Sequence, residues 1–169
     1  KLVDELENEI KKPEEIGTVW VKGESAARLY WNNPVKTAAT MKGEWLNTGD
    51  MYYRDSEGYY HNAGRGDDML KVGGLWCSPF EIEARLIEHP KILEAAVVGQ
   101  VDEEGLIKPA AYVVLNNLQD AGEETEKALI NHCREGLAHY KYPRWFYFLD
   151  DLPKTATGKI QRFRLRARL

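Results

Sequence analysis

Lys159 lies in the stretch PKTATGKIQR (153–162), where small residues precede it and basic residues follow. From position 154 to the C-terminus the only charged side chains are basic ones: Lys154, Lys159, Arg162, Arg164, Arg166 and Arg168. A local cluster of positive charge attracts phosphate-bearing ligands, but a solvated tail has the same composition. The residues alone leave both interpretations open for this segment.

Two other stretches carry residue types suited to ligand binding: NTGD (47–50) and GRGDDMLKVGG (64–74). Asp50 follows a Thr-Gly turn, so it is either a ligand-binding carboxylate or a residue that caps its own turn. Gly73 and Gly74 indicate a point where the backbone comes close to something, because they have no side chain. Each stretch alone is a weak signal.

Other reactive side chains favour structural interpretations. The adjacent Asp67 and Asp68 are explained better by a hinge turn than by a cation site. The four histidines lack the spacing of metal ligands, so no metal site is expected. Cys77 has no activating neighbour in the sequence, which predicts a packing role. Cys77 and Cys133 form no C-x-x-C pair and predict reduced thiols in a cytoplasmic protein.

The composition limits the class of protein. A chain of 169 residues with 43% hydrophobic content can bury a core in one ordinary domain or two small ones. Its formal net charge of −4 argues against a nucleic-acid surface over the whole chain, and no aromatic platform accompanies the basic tail. No apolar run is long enough to cross a membrane, and no signal peptide is visible. Because the chain begins at Lys1 rather than methionine, we expect a fragment.

The first third of the chain is predicted to be mainly β. IGTVWVKG (16–23) has the β-branched and aromatic content of a strand, and MYYRDSEGYYHN (51–62) is typical of a hairpin. The turn-rich sequence after Gly64 indicates a boundary, followed by a short strand, MLKV (69–72).

Beyond this boundary the patterns predict helices and strands in alternation. Ser78 as N-cap, Pro79 in the first turn and Glu81 in a capping box predict a helix that extends to about His89. Its predicted buried face contains three residues: Phe80, Ala84 and Ile87.

A second helix is predicted at 123–137, with Leu129, Cys133 and Leu137 on its buried face. Strands are predicted at 92–99, 110–115 and 144–151. The order βαββαβ predicts an α+β domain with a short sheet flanked by helices. In the tail, alternating Phe163, Leu165, Ala167 and Leu169 favour a strand, whereas the length and arginine content favour a helix.

In this order and spacing, the stretches 47–50, 64–74 and 153–159 resemble the last three core motifs of the adenylate-forming superfamily, which includes acyl-CoA synthetases, luciferases and peptide-synthetase adenylation domains. The resemblance covers nearly the whole chain, and residues 67–115 look most like the benzoate-CoA ligase branch. It implies a two-step reaction. A carboxylate attacks the α-phosphate of MgATP to give acyl-adenylate and pyrophosphate, and CoA thiolate then displaces AMP.

The resemblance also implies a role for individual residues. Asp50 would accept hydrogen bonds from the ribose hydroxyls, and Arg65 would contact the ribose region. Lys159 would bridge the acid carboxylate and the α-phosphate, where negative charge accumulates in the transition state. Asp67 matches the hinge at which a small C-terminal domain pivots.

A third set of residues matches the CoA side of the family. Lys71, Gly73 and Gly74 would line the channel for the phosphopantetheine arm, with plain surface charge as the alternative for Lys71. Arg134 lies where relatives contact the CoA nucleotide phosphates, although a solvated helix face explains it equally well.

The expected organisation follows from the resemblance. Residues 1–66 would be the β-rich end of a large domain, and residues 67–169 the complete mobile small domain. The phosphate loop, the adenine motif and the acid pocket are absent from this sequence, so we expect ATP, Mg²⁺ and an aromatic acid such as benzoate to be bound mainly by the remainder of the large domain, with CoA as co-substrate.

The alternatives are a non-catalytic nucleotide- or CoA-binding module of the same fold and a nucleic-acid-binding domain that uses the basic tail. Neither a nucleic-acid nor a membrane partner is expected. The acid is inferred only by resemblance, and the sequence gives no oligomeric state.

Overall fold

A computed structural model describes residues 1–168 as a mixed α+β chain, which confirms the predicted fold class. The chain forms two compact units, the first from Lys1 to Asp67 and the second beginning at Asp68. The sequence placed the boundary one residue earlier, before Asp67. Whether this boundary acts as a hinge stays a prediction.

The first unit is an antiparallel five-stranded sheet. Its strands are β1 (Leu2–Val3), β2 (Gly17–Val21), β3 (Met41–Lys42), β4 (Trp45–Arg54) and β5 (Tyr60–Arg65). The long strand β4 pairs with β2, β3 and β5, and β1 pairs with β2 at the edge of the sheet. The predicted strand and hairpin are therefore confirmed.

A short helix, α1 (Pro34–Thr40), was not predicted from the sequence. The side chain of Asn33 accepts a hydrogen bond from the Lys36 amide, and Pro34 occupies the first turn. Asn followed by Pro is a recognised helix start, so a local signal was present.

The second unit contains a hairpin and a three-stranded sheet. The hairpin strands are β6 (Leu70–Val72) and β7 (Leu75–Cys77). The sheet strands are β8 (Ile92–Val101), β9 (Ile107–Leu115) and β10 (Trp145–Phe148), in the order β10-β9-β8. Strand β9 is antiparallel to β8 and parallel to β10. The predicted strands are confirmed, but MLKV pairs with β7 in its own hairpin.

The helices of this unit are α2 (Pro79–Ile87), α3 (Glu123–Gly136) and α4 (Arg162–Arg166), with a 3₁₀ turn at Leu118–Asp120. The ambiguous tail is thus helical at α4, and Leu169 lies outside the described residues. None of the helices within residues 1–168 combines the length and apolar character needed to span a bilayer.

Both faces of the three-stranded sheet are buried. On one face Ala95 and Val97 of β8 pack with side chains of α2 and α3. On the other face Ala96 and Val98 pack with Leu165 of α4. Double burial explains why 95–98 and 110–115 are continuous apolar runs rather than alternating ones.

Helix α2 is turned differently from the prediction. Its buried residues are Pro79, Ile82, Glu83 and Leu86. Phe80, Ala84 and Ile87, the predicted buried face, are exposed. Both sets have helical spacing, so the period alone cannot choose between them.

The predicted capping box is also wrong. Ser78 is the N-cap residue, but its side chain makes no capping hydrogen bond. The Glu81 carboxylate instead accepts from Lys141 Nζ at 2.6 and 2.7 Å.

Two adjacent substitutions test this orientation. Leu86 is completely buried, so Leu86→Ala is expected to lower the free energy of unfolding by about 2–5 kcal/mol. Ile87 is half exposed, and Ile87→Ala is expected to cost less than about 1 kcal/mol. Urea unfolding of the 169-residue chain measures both. Equal losses would contradict the described orientation of α2.

Candidate active site

Asp50 and Arg65 form an ion pair across the hairpin of the first unit. They are directly opposite in the β4–β5 register. Arg65 Nη1 donates to Asp50 Oδ1 at 2.8 Å and to the Thr48 carbonyl at 3.1 Å. The hydrogen bond to Asp50 is the main cause that raises the pKa of the guanidinium. Both side chains remain partly open to solvent, so they can contact a ligand.

The turn before Asp50 explains why this position is fixed. Asn47 Oδ1 accepts from the Gly49 amide at 2.9 Å, and Thr48 Oγ1 accepts from the Asp50 amide at 3.1 Å. Gly49 has φ +74°, and a Cβ there would lie 3.1 Å from Arg65 Nη2. Glycine is therefore required both by the backbone and by the guanidinium beside it.

The neighbouring aspartates Asp67 and Asp68 belong to different networks. Asp67 ends the first unit with Oδ1 3.6 Å from Arg65 Nε, and its side chain is largely exposed. Asp68 begins the second unit and accepts from Arg166 Nη1 at 3.0 Å. Among residues 1–168 no group of three or more histidine, cysteine, aspartate or glutamate side chains is arranged to hold a metal ion.

Lys159 lies in an ordered turn. A bridge joins Lys154 and Ile160, and the Thr155 amide donates to the Lys159 carbonyl at 2.8 Å. The Lys159 amide in turn donates to Thr155 Oγ1 at 3.1 Å, and Gly158 closes the turn with φ +81°. The small residues therefore build a hydrogen-bonded turn. Within the described part of the chain, Lys159 Nζ has no carboxylate at ion-pair distance, so its charge is available to a ligand.

Lys154 fixes the N-terminal end of this turn. Its Nζ donates to Glu94 Oε1 at 2.8 Å and to Asp151 Oδ1 at 3.0 Å. The hydrogen bond to Glu94 contributes most to the raised pKa of Lys154. Lys154 and Lys159, five positions apart, thus differ. The charge of Lys154 is neutralised by carboxylates, whereas the charge of Lys159 is available to a ligand.

Gly73 and Gly74 form the two-residue turn between β6 and β7. Their φ angles of +58° and +82° are left-handed, as a tight hairpin turn of this length requires. A Cβ at either position would meet nothing within 4 Å, so backbone conformation alone explains both glycines in the second unit. Lys71 lies opposite Trp76 on the hairpin, with Nζ 5.1 Å from the ring centroid. A role for this hairpin in CoA binding stays a prediction.

Arg134 lies on the exposed side of α3 beside an aromatic ring. Its guanidinium carbon is 5.2 Å from the ring centroid of Tyr142, and that of Arg144 is 4.0 Å from the same centroid. Sequence analysis did not select Tyr142 or Arg144. The sequence YPR at 142–144 places an aromatic residue and a cationic residue on either side of a proline, and this was the local pattern that could have indicated them.

The two cysteines are packing residues, as predicted for Cys77. Cys77 is the last residue of β7 and Cys133 belongs to α3, and both are completely buried in the same hydrophobic core. Burial is the main cause that raises the pKa of Cys77 to about 12 and that of Cys133 to about 11. Thiols that stay protonated are poor nucleophiles.

A family model for the AMP-binding enzyme C-terminal domain matches residues 81–159. Among curated proteins, the chain is 55% identical over 167 residues to a benzoate–CoA ligase of Thauera aromatica, covering 99% of the chain and 32% of that protein. It is 48% identical over 154 residues to a 4-hydroxybenzoate–CoA/benzoate–CoA ligase of Rhodopseudomonas palustris, covering 90% of the chain and 29% of that protein. The chain therefore spans about a third of the length of the curated relatives it matches.

Solved structures give the same result. The anthranilate CoA ligase AuaEII in complex with anthranoyl-AMP superposes with a TM-score of 0.91 at 50% identity, covering 99% of this chain and 32% of that one. A benzoate CoA ligase from Burkholderia xenovorans superposes with a TM-score of 0.84 at 49% identity, covering 98% and 33%.

The buried thiols give a prediction. In the folded chain at pH 8, neither cysteine is expected to react quickly with an aromatic disulfide reagent, whereas both react after unfolding in guanidinium. The pKa of Cys77 is higher in the folded state than its ordinary value of 9.0, so its stabilising effect is complete below pH 9 and is lost as the pH rises towards about 12.

The free energy of unfolding should accordingly fall from pH 8 to pH 10, and less steeply in Cys77→Val, which cannot ionise. Rapid reaction of a native thiol, or equal slopes in both proteins, would contradict the assignment.

Proposed function

Since the chain belongs to the adenylate-forming superfamily and contains its AMP-binding enzyme C-terminal domain, we propose that it is the C-terminal portion of an ATP-dependent, AMP-forming acid–CoA ligase. The observation that carries this proposal is the 55% identity, over 99% of the chain, to a benzoate–CoA ligase. The free thiols fit a reducing compartment, so we place the enzyme in the cytoplasm.

The proposed substrate is benzoate or a ring-substituted benzoate. The names of the relatives and structural neighbours support this class, since they specify benzoate, hydroxybenzoates and anthranilate. ATP and CoA are the co-substrates in this proposal. In this proposal Mg²⁺ accompanies the triphosphate and is bound mainly by the remainder of the large domain.

Lys159 acts in the proposed first step. Attack of the acid carboxylate on the α-phosphate concentrates negative charge between two anions, and an ammonium group placed there stabilises the transition state. The unpaired charge of Lys159 on an ordered turn supports this role, because little reorganisation is needed before reaction. A lysine already paired, such as Lys154, would first lose its carboxylates.

Asp50 and Arg65 hold the ribose in this proposal. The guanidinium fixes one carboxylate oxygen, Oδ1, at 2.8 Å and so orients the acid group. A carboxylate only accepts hydrogen bonds, which suits the two hydroxyls of a ribose. Asp67, next to the guanidinium at the end of the first unit, is the proposed hinge.

The second step uses the other predicted residues. The β6–β7 turn leaves open space around Gly73 and Gly74, which supports passage of a phosphopantetheine arm along the backbone there. Lys71 lies in the middle of strand β6 of the same hairpin. Arg134 and Arg144, both beside the Tyr142 ring, form a positive surface that suits the phosphates of the CoA nucleotide.

The function is tested with a panel of aromatic and aliphatic acids. The full-length protein is expected to release AMP only when ATP, CoA and a benzoate-type acid are all present. The 169-residue chain alone is expected to release none, because it has no triphosphate loop or acid pocket. Binding of ATP or CoA by the full-length protein without turnover of any acid would instead favour a non-catalytic module.

Two variants of the full-length enzyme separate the half-reactions. Lys159→Ala is expected to slow pyrophosphate release by a factor on the order of 10²–10³ while leaving CoA attack on supplied aroyl-adenylate nearly unchanged. Gly74→Ile is expected to do the reverse, because a β-branched side chain enters the proposed channel.

Gly58→Ile is the matched control for backbone strain. Gly58 also has positive φ and open space, but it lies in the β4–β5 turn of the first unit. The control should leave the two half-reactions in their wild-type ratio. If Lys159→Ala and Gly74→Ile each slow both half-reactions equally, the division of roles is wrong.

A further inference from the structure

Glu83 is a buried carboxylate on α2 with a defined set of partners. One of its oxygens, Oε1, accepts from the Val97 amide of β8 at 2.8 Å. Arg162 Nη2 donates to Oε2 at 2.7 Å and to Oε1 at 2.8 Å, and Arg162 Nε donates to Oε1 at 3.3 Å. The side chains of both Glu83 and Arg162 are only 10% exposed. A buried pair with this bidentate geometry holds its two elements in one relative position.

Arg162 lies three residues after Lys159, where the turn ends and α4 begins. Its pairing with Glu83 therefore fixes the C-terminal end of the turn, while Lys154 and Glu94 fix the N-terminal end. Glu83 and Glu94 come from α2 and β8, which pack directly together. The turn that carries Lys159 is thus held at both ends by carboxylates of two elements that pack against each other.

The same arginine also reaches the first residue of the second unit. Arg162 Nη1 lies 3.7 Å from Asp68 Oδ2, and Arg166 Nη1 lies 3.0 Å from Asp68 Oδ1. Asp68 directly follows the proposed hinge residue. Side-chain ion pairs therefore join Glu83, Arg162 and Asp68 within the second unit.

Helix α4 is tied to the sheet by a buried side chain and by a hydrogen bond. Leu165 is completely buried, and its carbonyl accepts from Tyr112 Oη of β9 at 3.2 Å. Close packing of this kind transmits displacement rather than absorbing it. Asp68 and the Lys159 turn are therefore both connected to α4, Asp68 by ion pairs and the turn by the chain itself.

We propose that Glu83, Arg162 and Asp68 form a positioning relay that sets the location of Lys159 Nζ relative to the point where the second unit begins. None of the three is placed against substrate, so they are positioning residues and not catalytic ones. The relay rests on the proposed function, because it takes Lys159 as the lysine of the adenylation step.

The relay has a kinetic signature that simple stabilisation lacks. Displacing Lys159 weakens only the transition state of adenylation, so kcat falls while the KM values for ATP and acid stay constant. The thioester half-reaction does not use Lys159 and stays constant as well. A purely structural role for Glu83 would lower both half-reactions together as folded enzyme is lost.

The experiment uses the full-length ligase and separate assays of the two half-reactions. Glu83→Gln keeps the size of the side chain and an acceptor for Val97 but removes the charge that holds Arg162. Its kcat for pyrophosphate release is expected to fall about 10- to 100-fold, since a displacement of about 1 Å has effects of this size. Both KM values and the thioester rate should stay within about twofold of wild type.

The matched control is Glu88→Gln. Glu88 lies just after the same helix and pairs with Arg85, but its side chain is 61% exposed and it is not connected to Arg162 by any ion pair among residues 1–168. Its two half-reactions should match wild type. Asp68→Asn is the second test variant, because it breaks the far end of the relay and leaves the pair of Glu83 with Arg162 in place. It should show the same selective loss of adenylation.

Each outcome decides the proposal. Selective loss in Glu83→Gln and Asp68→Asn supports the relay, and unchanged adenylation in a folded Glu83→Gln enzyme overturns it. Equal slowing of both half-reactions overturns it too. If Glu83→Gln does not fold, Asp68→Asn decides alone. Selective loss of adenylation in that variant supports the relay, and wild-type rates in both half-reactions overturn it. If Lys159→Ala leaves adenylation intact, the role proposed for Lys159 is wrong and the relay falls with it, whereas failure of the full-length protein to release AMP with any acid would overturn the proposed function itself.

Discussion

Burial of the three-stranded sheet on both faces is the constraint on which the second unit depends. One face needs α2 and α3 to cover it, and the other needs α4. Helix α4 is therefore part of the core through Leu165. Because β10 ends at Phe148 and α4 begins at Arg162, the Lys159 turn is a connection between two core elements. Its position follows from the packing of the sheet.

Charge pairing in the C-terminal segment separates structural cations from available ones. Lys154, Arg162 and Arg166 bond to carboxylates of their own unit. The segment is consequently less available to a polyanion than its composition indicates, which disfavours nucleic acid as a partner. Lys159 lies among these paired cations, and no carboxylate of the described residues is at ion-pair distance from its ammonium group. Its charge can therefore meet an anionic ligand without first breaking an ion pair.

The sequence predicted those elements whose signals are local. Strands β8 and β9 contain the apolar runs 95–98 and 110–115, and α3 has a clear 3.6-residue period, so their type was evident. The face of α2 was predicted wrongly because apolar residues occur on two sides of it. One buried position is a glutamate, Glu83, whose burial depends on Arg162, 79 residues away. The pair of Asp68 and Arg166, 98 residues apart, likewise leaves no local pattern. Asp50, Arg65 and Lys159 were selected by family resemblance, and their roles remain proposals.

The pairing of Asp68 with Arg166 also bears on how related ligases can be recombined. A crossover placed just after Asp68 would combine the aspartate of one parent with the arginines of another. The ion pairs of Asp68 with Arg162 and Arg166 would then have to form between residues of different parents. A crossover before Asp68 transfers both partners together. A chimera should therefore take Asp68 from the same parent as the C-terminal helix α4, although in the sequence Asp68 is only the second residue of an Asp-Asp pair.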